Sequence, residues 1–521
     1  MSHFREKSGI WAPRPRITRH VAWLFCGLLL LAACGRFANP TAVPPAANSE
    51  PEAAAGTIDG DPVRQFTILY TNDEQGWLEG ETQGTGAANM IGLWEQGEGL
   101  ERDGSFLILS GGDMWTGPAI STWFEGESMV AVMNEMGYTA AAVGNHEFDF
   151  GLDTLRQRTK QADFPLLGAN IRYRENGAVP TDLGIHPFAI VQANGVQVGI
   201  VGLASRRTPR TTHPVNVSGL EFVGYEETLR EIVPQVKAAG AEMILVPAHL
   251  CRDELEPLAL AVADLGIHMF GGGHCNELFD EEIGGAVVVG GGKHMGSYAR
   301  VTFTFDTERD TVVEVDYAVN RNIGGPADPA VEAVVSQWQQ AVAGELDVVI
   351  GYTERGIQRR SQEMQDLITE SWLAGYPAAD VAITNLGGMR APIEPGDITL
   401  ADVIGVMPFN NVIIELKLTG EELVQVLAVA HGQAIGGVHL SGSRWILDRT
   451  GETIETDQTY HLLVNDFMYA GGDDFTLLAE LDPEAYDTSI DWRQPVIEWI
   501  TDQHSTKRDP IDDAVQQLGR R

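Results

Sequence analysis

Positive charge is scarce in this sequence. Its 521 residues include 35 Lys and Arg against 73 Asp and Glu, which gives a formal net charge of −38. A protein with such a large negative net charge repels a phosphate backbone, so a nucleic acid polymer is not expected as a partner. The same charge is compatible with a small phosphorylated molecule that is held by metal ions.

Cysteine is scarce as well. The sequence has 4 cysteines, and they form neither a disulfide framework nor a Cys-rich zinc motif. The sequence also has no Gly-x-Ser-x-Gly nucleophile elbow and no Walker loop. These absences exclude several common kinds of hydrolase and nucleotide-binding site.

Long apolar runs are missing too, apart from "VAWLFCGLLLLAA" near the N-terminus, which is too short to span a bilayer well. It follows a basic segment and ends in "LAAC", which resembles a bacterial lipobox with Cys34 as the lipidated residue. We therefore expect a lipoprotein signal peptide at residues 1–33 and a flexible tether at residues 34–63. The protein would then be exported and anchored to the cell envelope by lipidated Cys34, its only membrane contact; a plain signal peptide cut near Ala33 is the alternative.

The rest of the chain alternates short apolar runs with amphipathic stretches, which indicates layered α/β domains. The segment "GGPADP" interrupts this pattern, and "AVEAVVSQWQQAVAGEL" after it has the composition of one helix. We expect a first domain at residues 64–323, a connecting helix at 324–347 and a second domain at 348–521. Such sheets place their chemistry at the carboxyl ends of strands.

Five strand-like runs of the first domain end in residues that can bind a metal. These residues are Asp73 with Gln75, Asp113, Asn145 with His146, His249, and His274 with Asn276. One polar strand end is an ordinary helix cap, but five in one domain indicate a shared cluster. Oxygen and nitrogen ligands in this number suit two divalent ions that bind phosphate oxygens and activate water.

The order of these motifs, with "GNHEFDFG" at residues 144–151, resembles the calcineurin-like metallophosphoesterases, and within them the 5′-nucleotidase branch. The resemblance covers residues 65–306 and implies a four-layer αββα domain with two divalent ions, Mn, Mg, Zn or Ca. It implies a catalytic dyad in which His146 contacts the phosphate and Asp149 orients His146. The ligands that it implies are Asp73, Gln75, Asp113 and Asn276 for site one and Asp113, Asn145, His249 and His274 for site two.

The second domain carries its own resemblance to the same family, in "TNLGGMRAPIEPGDITLADVIGVMPFNN" and "VNDFMYAGGDDF". The likeness implies an α/β substrate-binding domain in which Asn385 and Arg390 contact the substrate. Phe409 and Phe467 would stack on a base from both sides, and Asp473 would bind the ribose hydroxyls. Two core phenylalanines and a β-turn are the alternative interpretation.

Three positions depart from the family pattern. Gln75 stands where a histidine ligand is usual, and Asn276 stands where a second histidine or a glutamine is usual. Both changes fall on site one, so this site is expected to be rich in oxygen and to favour manganese or magnesium over zinc. Gln358 replaces an expected arginine, which makes the adjacent Arg359 and Arg360 candidate substrate-binding residues.

Other residues match no motif. His213, His268 and His294 are therefore expected to be structural or solvated. Cys251 and Cys275 each lie beside a predicted ligand histidine, and the sequence leaves open whether their sulfurs meet in a disulfide.

The leading functional prediction is an exported, metal-dependent phosphohydrolase that removes phosphate from nucleotides and acts as a monomer. Within the same chemistry the alternatives are a 2′,3′-cyclic nucleotide phosphodiesterase/3′-nucleotidase and a nucleotide-sugar hydrolase. A surface nucleotide-binding protein that has lost turnover is the alternative of another class.

Overall fold

Two β-sheets packed face to face carry the predicted metal ligands. The computed structural model describes residues 62–519, and the predicted signal peptide, the lipidation site Cys34 and nearly all of the tether lie outside them. The first sheet has seven strands, five of them parallel and two antiparallel at one edge. In spatial order its strands are Thr311–Arg321, Ser297–Asp306, Val63–Thr71, Phe106–Ser110, Ala140–Ala142, Leu166–Leu167 and Ile185–His186.

The second sheet has six strands, with four parallel strands in the centre and an antiparallel strand at each edge. In spatial order they are Leu278–Ile283, Ala286–Gly291, Met269–Gly272, Met243–Pro247, Val196–Val201 and Phe188–Ala193. Phe66, Val198 and Val289 belong to the apolar layer that the two sheets share. The short strands Ile171–Tyr173 and Leu220–Phe222 form a separate pair.

Helices cover the outer face of each sheet, because each helix has an apolar side. Helix Tyr225–Ala238, for example, buries Leu229, Ile232 and Val236 against the second sheet. The helices of this half are Ala87–Leu93, Ala119–Thr122, Glu127–Met136, Gly151–Gln161, Thr208–Thr211, Tyr225–Ala238 and Arg252–Ala261. The layers follow the order helix, sheet, sheet, helix, so the predicted αββα architecture is confirmed.

An 18-residue helix, Pro329–Leu346, occupies most of the segment that was expected to connect two domains. Its first turn is capped by Asp328, whose carboxylate accepts from the backbone N–H groups of Ala330 and Val331 at 3.0 and 2.9 Å. Buried Val331 packs into the core of the first half. The domain boundaries that the sequence suggested stay predictions.

The C-terminal half has a five-stranded mixed sheet of its own. In spatial order its strands are Ala434–Gly436, Val381–Thr384, Thr459–Asn465, Val412–Thr419 and Tyr486–Asp491. Two further strand pairs are Val349–Thr353 with Gly396–Thr399 and Val438–Ser441 with Arg444–Leu447. The helices are Gln362–Gly375, Leu400–Val406, Gly420–Val429, Asp466–Tyr469, Leu477–Leu481, Gln494–Asp502 and Asp512–Leu518. Within residues 62–519, no helix is both long and apolar enough to cross a membrane.

Candidate active site

The carboxyl ends of the parallel strands meet at a cavity of about 620 Å³, a volume typical of small-molecule sites. Fourteen of the predicted site residues line this cavity: Gln75, Asp113, Asn145, His146, Asp149, His274, Asn276, Arg359, Arg360, Asn385, Arg390, Phe409, Phe467 and Asp473. The two remaining predicted ligands, Asp73 and His249, are fully buried. The structure thus brings residues of both halves of the chain to one place.

The centre of the predicted metal cluster is Asp113, which follows strand Phe106–Ser110. Its Oδ2 lies 3.0 Å from His249 Nε2, and His249 Nε2 lies 3.2 Å from His274 Nδ1. The other ring nitrogen of His249 donates to the carbonyl of Gly111 at 2.8 Å, which fixes the ring and points Nε2 towards Asp113. These three side chains offer atoms close enough together to hold one metal ion.

The loop after strand Val63–Thr71 lies against the same centre. The backbone N–H of Asp73 donates to the carbonyl of Gly112, and that of Gln75 donates to the carbonyl of Asp113, both at 2.9 Å. Asp73, Gln75 and Asp113 all have positive φ, at 51, 44 and 60°. Non-glycine residues adopt this region uncommonly, and here three of them lie in the two loops around the cluster.

Two buried oxygen atoms test whether the residues suit a metal. Neither Asp73 Oδ1 nor Asn145 Oδ1 has a hydrogen-bond partner among the described residues. A buried oxygen without a partner is costly, and coordination of a cation is one way to satisfy it. Carboxylate, amide and imidazole donors together fit divalent ions such as manganese or zinc.

The electrostatics of the cluster agree with this fit. Burial opposes ionisation of Asp113, but the imidazoles of His249 and His146 outweigh it and hold the pKa of Asp113 below its usual value. Burial also disfavours a charged His249, yet the Asp113 carboxylate raises the pKa of His249 to about 10. Burial and the neighbouring His249 lower the pKa of His274 to about 3. Protons and metal ions compete for these lone pairs, so metal binding is expected to release protons.

Glu147 is a site residue that the sequence analysis missed. Its buried carboxylate accepts from the backbone N–H groups of Asp113, Met114 and Gly144 at 3.0, 2.7 and 2.6 Å. It therefore ties the loop of Asp113 to the loop of Asn145. The sequence signal was present in "GNHE", but the role depends on backbone groups about 33 residues away along the chain.

The predicted dyad has the geometry of a positioned imidazole. His146 Nδ1 lies 2.7 Å from Asp149 Oδ2, and Thr212 Oγ1 donates to the other oxygen of Asp149 at 2.9 Å. The backbone N–H of His146 donates to Asp113 Oδ1 at 2.8 Å. Burial lowers the pKa of His146, but the carboxylates of Asp113 and Asp149 outweigh it and raise the pKa above its ordinary value.

The C-terminal half contributes the opposite wall of the cavity. Asn385 donates to Asp473 at 3.0 Å and accepts from Asn465 at 2.9 Å, so its amide orientation is fixed. The guanidinium of Arg390 lies 5.9 Å from the ring centroid of Phe409, a cation–π contact. Asn385 therefore contacts Asp473, and Arg390 contacts Phe409.

Arg359 and Arg360 reach the same wall. Each donates its Nε to a backbone carbonyl, that of Met389 for Arg359 and that of Leu386 for Arg360. Burial and the charges of Arg360 and Arg390 lower the pKa of Arg359 to about 10. The three guanidinium groups of Arg359, Arg360 and Arg390 line the same cavity and together form a site for an anion.

Two of the three histidines that were expected to have no site role line the cavity. His213 lies 3.4 Å from Asp466, and His294 lies 3.1 Å from Gln75. Both therefore lie at the cavity, although no motif marked them, and their role there stays untested. Only His268 lies elsewhere, where its ring accepts from the backbone N–H of Ile244.

The structure also resolves the question left open for the cysteines. Cys251 and Cys275 form a disulfide, with their Cα atoms 5.1 Å apart. The bond joins the segments that carry His249 and His274. It therefore restrains the two histidine-bearing loops of site two relative to each other.

Comparison with known proteins supports the same assignment for both halves. Residues 342–480 match the family model "5′-nucleotidase, C-terminal domain". The chain is 25% identical over 488 residues to a 5′-nucleotidase of Vibrio vulnificus, covering 80% of this chain and 87% of that protein. It is 24% identical over 496 residues to the trifunctional nucleotide phosphoesterase protein YfkN of Bacillus subtilis, covering 81% of this chain but spanning only 33% of that longer protein.

A solved structure shares the fold. The 5′-nucleotidase precursor of Thermus thermophilus superposes with a TM-score of 0.72 at 24% identity, covering 85% of this chain and 97% of that one. The chain therefore combines an αββα domain that carries a candidate metal-ligand cluster with a C-terminal domain of the nucleotidase type. Over most of its length the chain is similar to 5′-nucleotidases, and residues 342–480 match the C-terminal domain of that family.

Proposed function

We propose that this protein is a metal-dependent phosphohydrolase that removes phosphate from nucleotides. The observation that carries the proposal is the cavity in which Asp113, His249 and His274 converge with the His146–Asp149 pair. The names of its relatives, 5′-nucleotidase and nucleotide phosphoesterase, support the substrate class.

The chemistry requires charge neutralisation and proton transfer. Two divalent ions held by the ligand cluster would neutralise phosphoryl oxygens and activate water. Asp149 accepts a hydrogen bond from Nδ1–H of His146. The Nε2 atom of His146 is therefore the one that would contact the phosphate. Arg390 and the Asn385 amide hold the anion from the opposite wall, which positions it against His146.

Recognition of the nucleoside is assigned to the C-terminal half. Phe409 and Phe467 line the cavity and offer flat faces for a base of any identity. The carboxylate of Asp473, held by Asn385, is an acceptor suited to the ribose hydroxyls. These residues do not distinguish 5′-nucleotides from 2′,3′-cyclic nucleotides, 3′-nucleotides or nucleotide sugars.

We further propose that the protein is exported, anchored by lipidated Cys34 and active as a monomer. The apolar run and lipobox-like "LAAC" of the sequence support the anchor. The Cys251–Cys275 disulfide supports an oxidising compartment, since such bonds are rare where thiols are kept reduced.

A phosphate-release screen tests the proposed activity. Purified protein would be supplied with 5′-, 3′- and 2′,3′-cyclic nucleotides and nucleotide sugars, each with Mn²⁺, Mg²⁺, Zn²⁺ or Ca²⁺. The proposal is supported if the wild type releases phosphate from a nucleotide and His146→Ala does not. Nucleotide binding without release under any metal would instead support the non-enzymatic alternative.

A further inference from the structure

His294 has a hydrogen-bonding pattern that the proposed activity does not explain. It follows strand Ala286–Gly291, is 4% exposed and stacks on Trp77 with ring centroids 4.9 Å apart. Its Nδ1 lies 2.5 Å from Glu81 Oε1, and the same oxygen lies 3.0 Å from Lys293 Nζ. A carboxylate paired with an ammonium group only accepts, so Nδ1 carries the proton.

The other nitrogen of the ring then carries a lone pair. His294 Nε2 lies 3.1 Å from Gln75 Oε1, which is also an acceptor. Two acceptors at this distance repel each other unless a cation or a proton is shared between them. Adjacent ligand atoms of one metal ion with bonds of about 2.1 Å lie about 3 Å apart, which matches this separation.

Site two shows the same arrangement. The Nδ1–H of His249 donates to the carbonyl of Gly111, and its Nε2 lies 3.0 Å from Asp113 Oδ2 and 3.2 Å from His274 Nδ1. Metal-binding histidines commonly have this arrangement: one ring N–H donates to an acceptor, and the other ring nitrogen faces the metal and its remaining ligands. His294, with Glu81 as the acceptor, repeats that pattern beside Gln75.

The backbone gives an independent observation. His294 has φ 54°, in the same left-handed region as Asp73 and Gln75, and its N–H donates to the carbonyl of Asp73 at 2.9 Å. Strained backbone of this kind is retained where the surroundings require it. The segment of His294 is therefore fixed to the segment that carries the ligands of site one.

We infer that His294 is a nitrogen ligand of site one, beside the amide oxygen of Gln75. The inference rests on the metal centre of the proposed function, and it assigns to this site an imidazole from outside the matched motifs. Site one then has one nitrogen donor among oxygens, whereas site two has two.

Metal titration tests the inference. His294→Gly removes the imidazole and suits the positive φ, because glycine adopts this region without strain. Wild-type protein stripped of metal should take up two equivalents of Mn²⁺, and in His294→Gly the weaker equivalent should bind at least about tenfold more weakly. Added free imidazole should restore that affinity. The matched control is His268→Ala, which removes a half-buried imidazole outside the cavity and should leave both equivalents unchanged.

Pulsed EPR on the wild-type protein decides the question without a variant. One equivalent of Zn²⁺ is added first to fill site two with its two imidazoles, and Mn²⁺ is then added. Coupling of Mn²⁺ to an imidazole nitrogen supports the inference. No such coupling, or unchanged Mn²⁺ affinity in folded His294→Gly, would overturn it and would show that His294 only holds the Gln75 amide. Because neither readout uses phosphate release, failure of the proposed activity is distinguishable from failure of this inference.

Discussion

The phenyl ring of Phe409 stacks on the imidazole of His146, with ring centroids 5.8 Å apart and planes inclined by 29°. Phe409 comes from the C-terminal half and His146 from the half that carries the metal ligands. Phe409, which is expected to stack on a base, is thus in contact with His146, which is expected to contact the phosphate. A nucleotide bound as proposed would contact both halves of the chain.

The aromatic wall should discriminate nucleotides from simple phosphate esters. The double variant Phe409→Ala, Phe467→Ala should have a higher KM for a nucleotide, because each ring removed takes away about 1–3 kcal/mol of stacking. An ester that lacks a base should show little change, because it has nothing to stack. Steady-state kinetics on both substrates checks this, and an equal loss on the two would argue against a stacking clamp.

The His146–Asp149 pair should affect turnover more than binding. His146→Ala should lower kcat by about 10²–10⁴-fold, the range of a positioned proton-transfer group. Its metal content should stay near that of the wild type, because the ring hydrogen-bonds to Asp149 and its Nε2 lies 3.8 Å from Asp113, beyond hydrogen-bond distance. Asp149→Asn should give a smaller loss with the same split. Undiminished kcat in His146→Ala would refute the role.

The two metal sites should differ in affinity and preference. Site two keeps His249 and His274, whereas site one offers Asp73 and the Gln75 amide with at most the one imidazole of His294. We expect one tight and one looser ion, with Mn²⁺ or Mg²⁺ activating better than Zn²⁺. Gln75→His should tighten site one and shift the preference towards Zn²⁺. Metal analysis with activity titration checks this, and two equally tight Zn²⁺ ions with full activity would contradict it.

The disulfide should contribute to stability and to site two. It closes a loop with a sequence separation of 24, for which chain entropy predicts about 3–4 kcal/mol. Reduction should lower the free energy of unfolding of metal-free protein by that order and weaken the tighter metal ion. Denaturant titrations with and without reductant measure the first effect. A Cys251→Ser, Cys275→Ser double variant should show no dependence on reductant; native protein with two free thiols would contradict the bond.

The sequence predicted the layered fold and most of the residues that line the cavity, because residues with acidic, amide or imidazole side chains stand directly after strands. Asp113 and His249 each follow a buried apolar run, and parallel strands bring such ends together. Glu147 and His294 escaped this reasoning. Glu147 acts on backbone N–H groups, which no side-chain pattern reveals, and His294 depends on Glu81, 213 positions away. The run "GAVVVGGGKH" did place a histidine after a strand, and that signal was available without a motif.

The most direct test of the account is phosphate release from a nucleotide by protein that is first stripped of metal and then reloaded. The account predicts that exhaustive chelation abolishes release and that a divalent ion restores it in the wild type. In His146→Ala the ions should rebind while release stays low. Turnover that persists after chelation, or no release from any nucleotide with any of the four metals, would contradict a metal-dependent nucleotide phosphohydrolase.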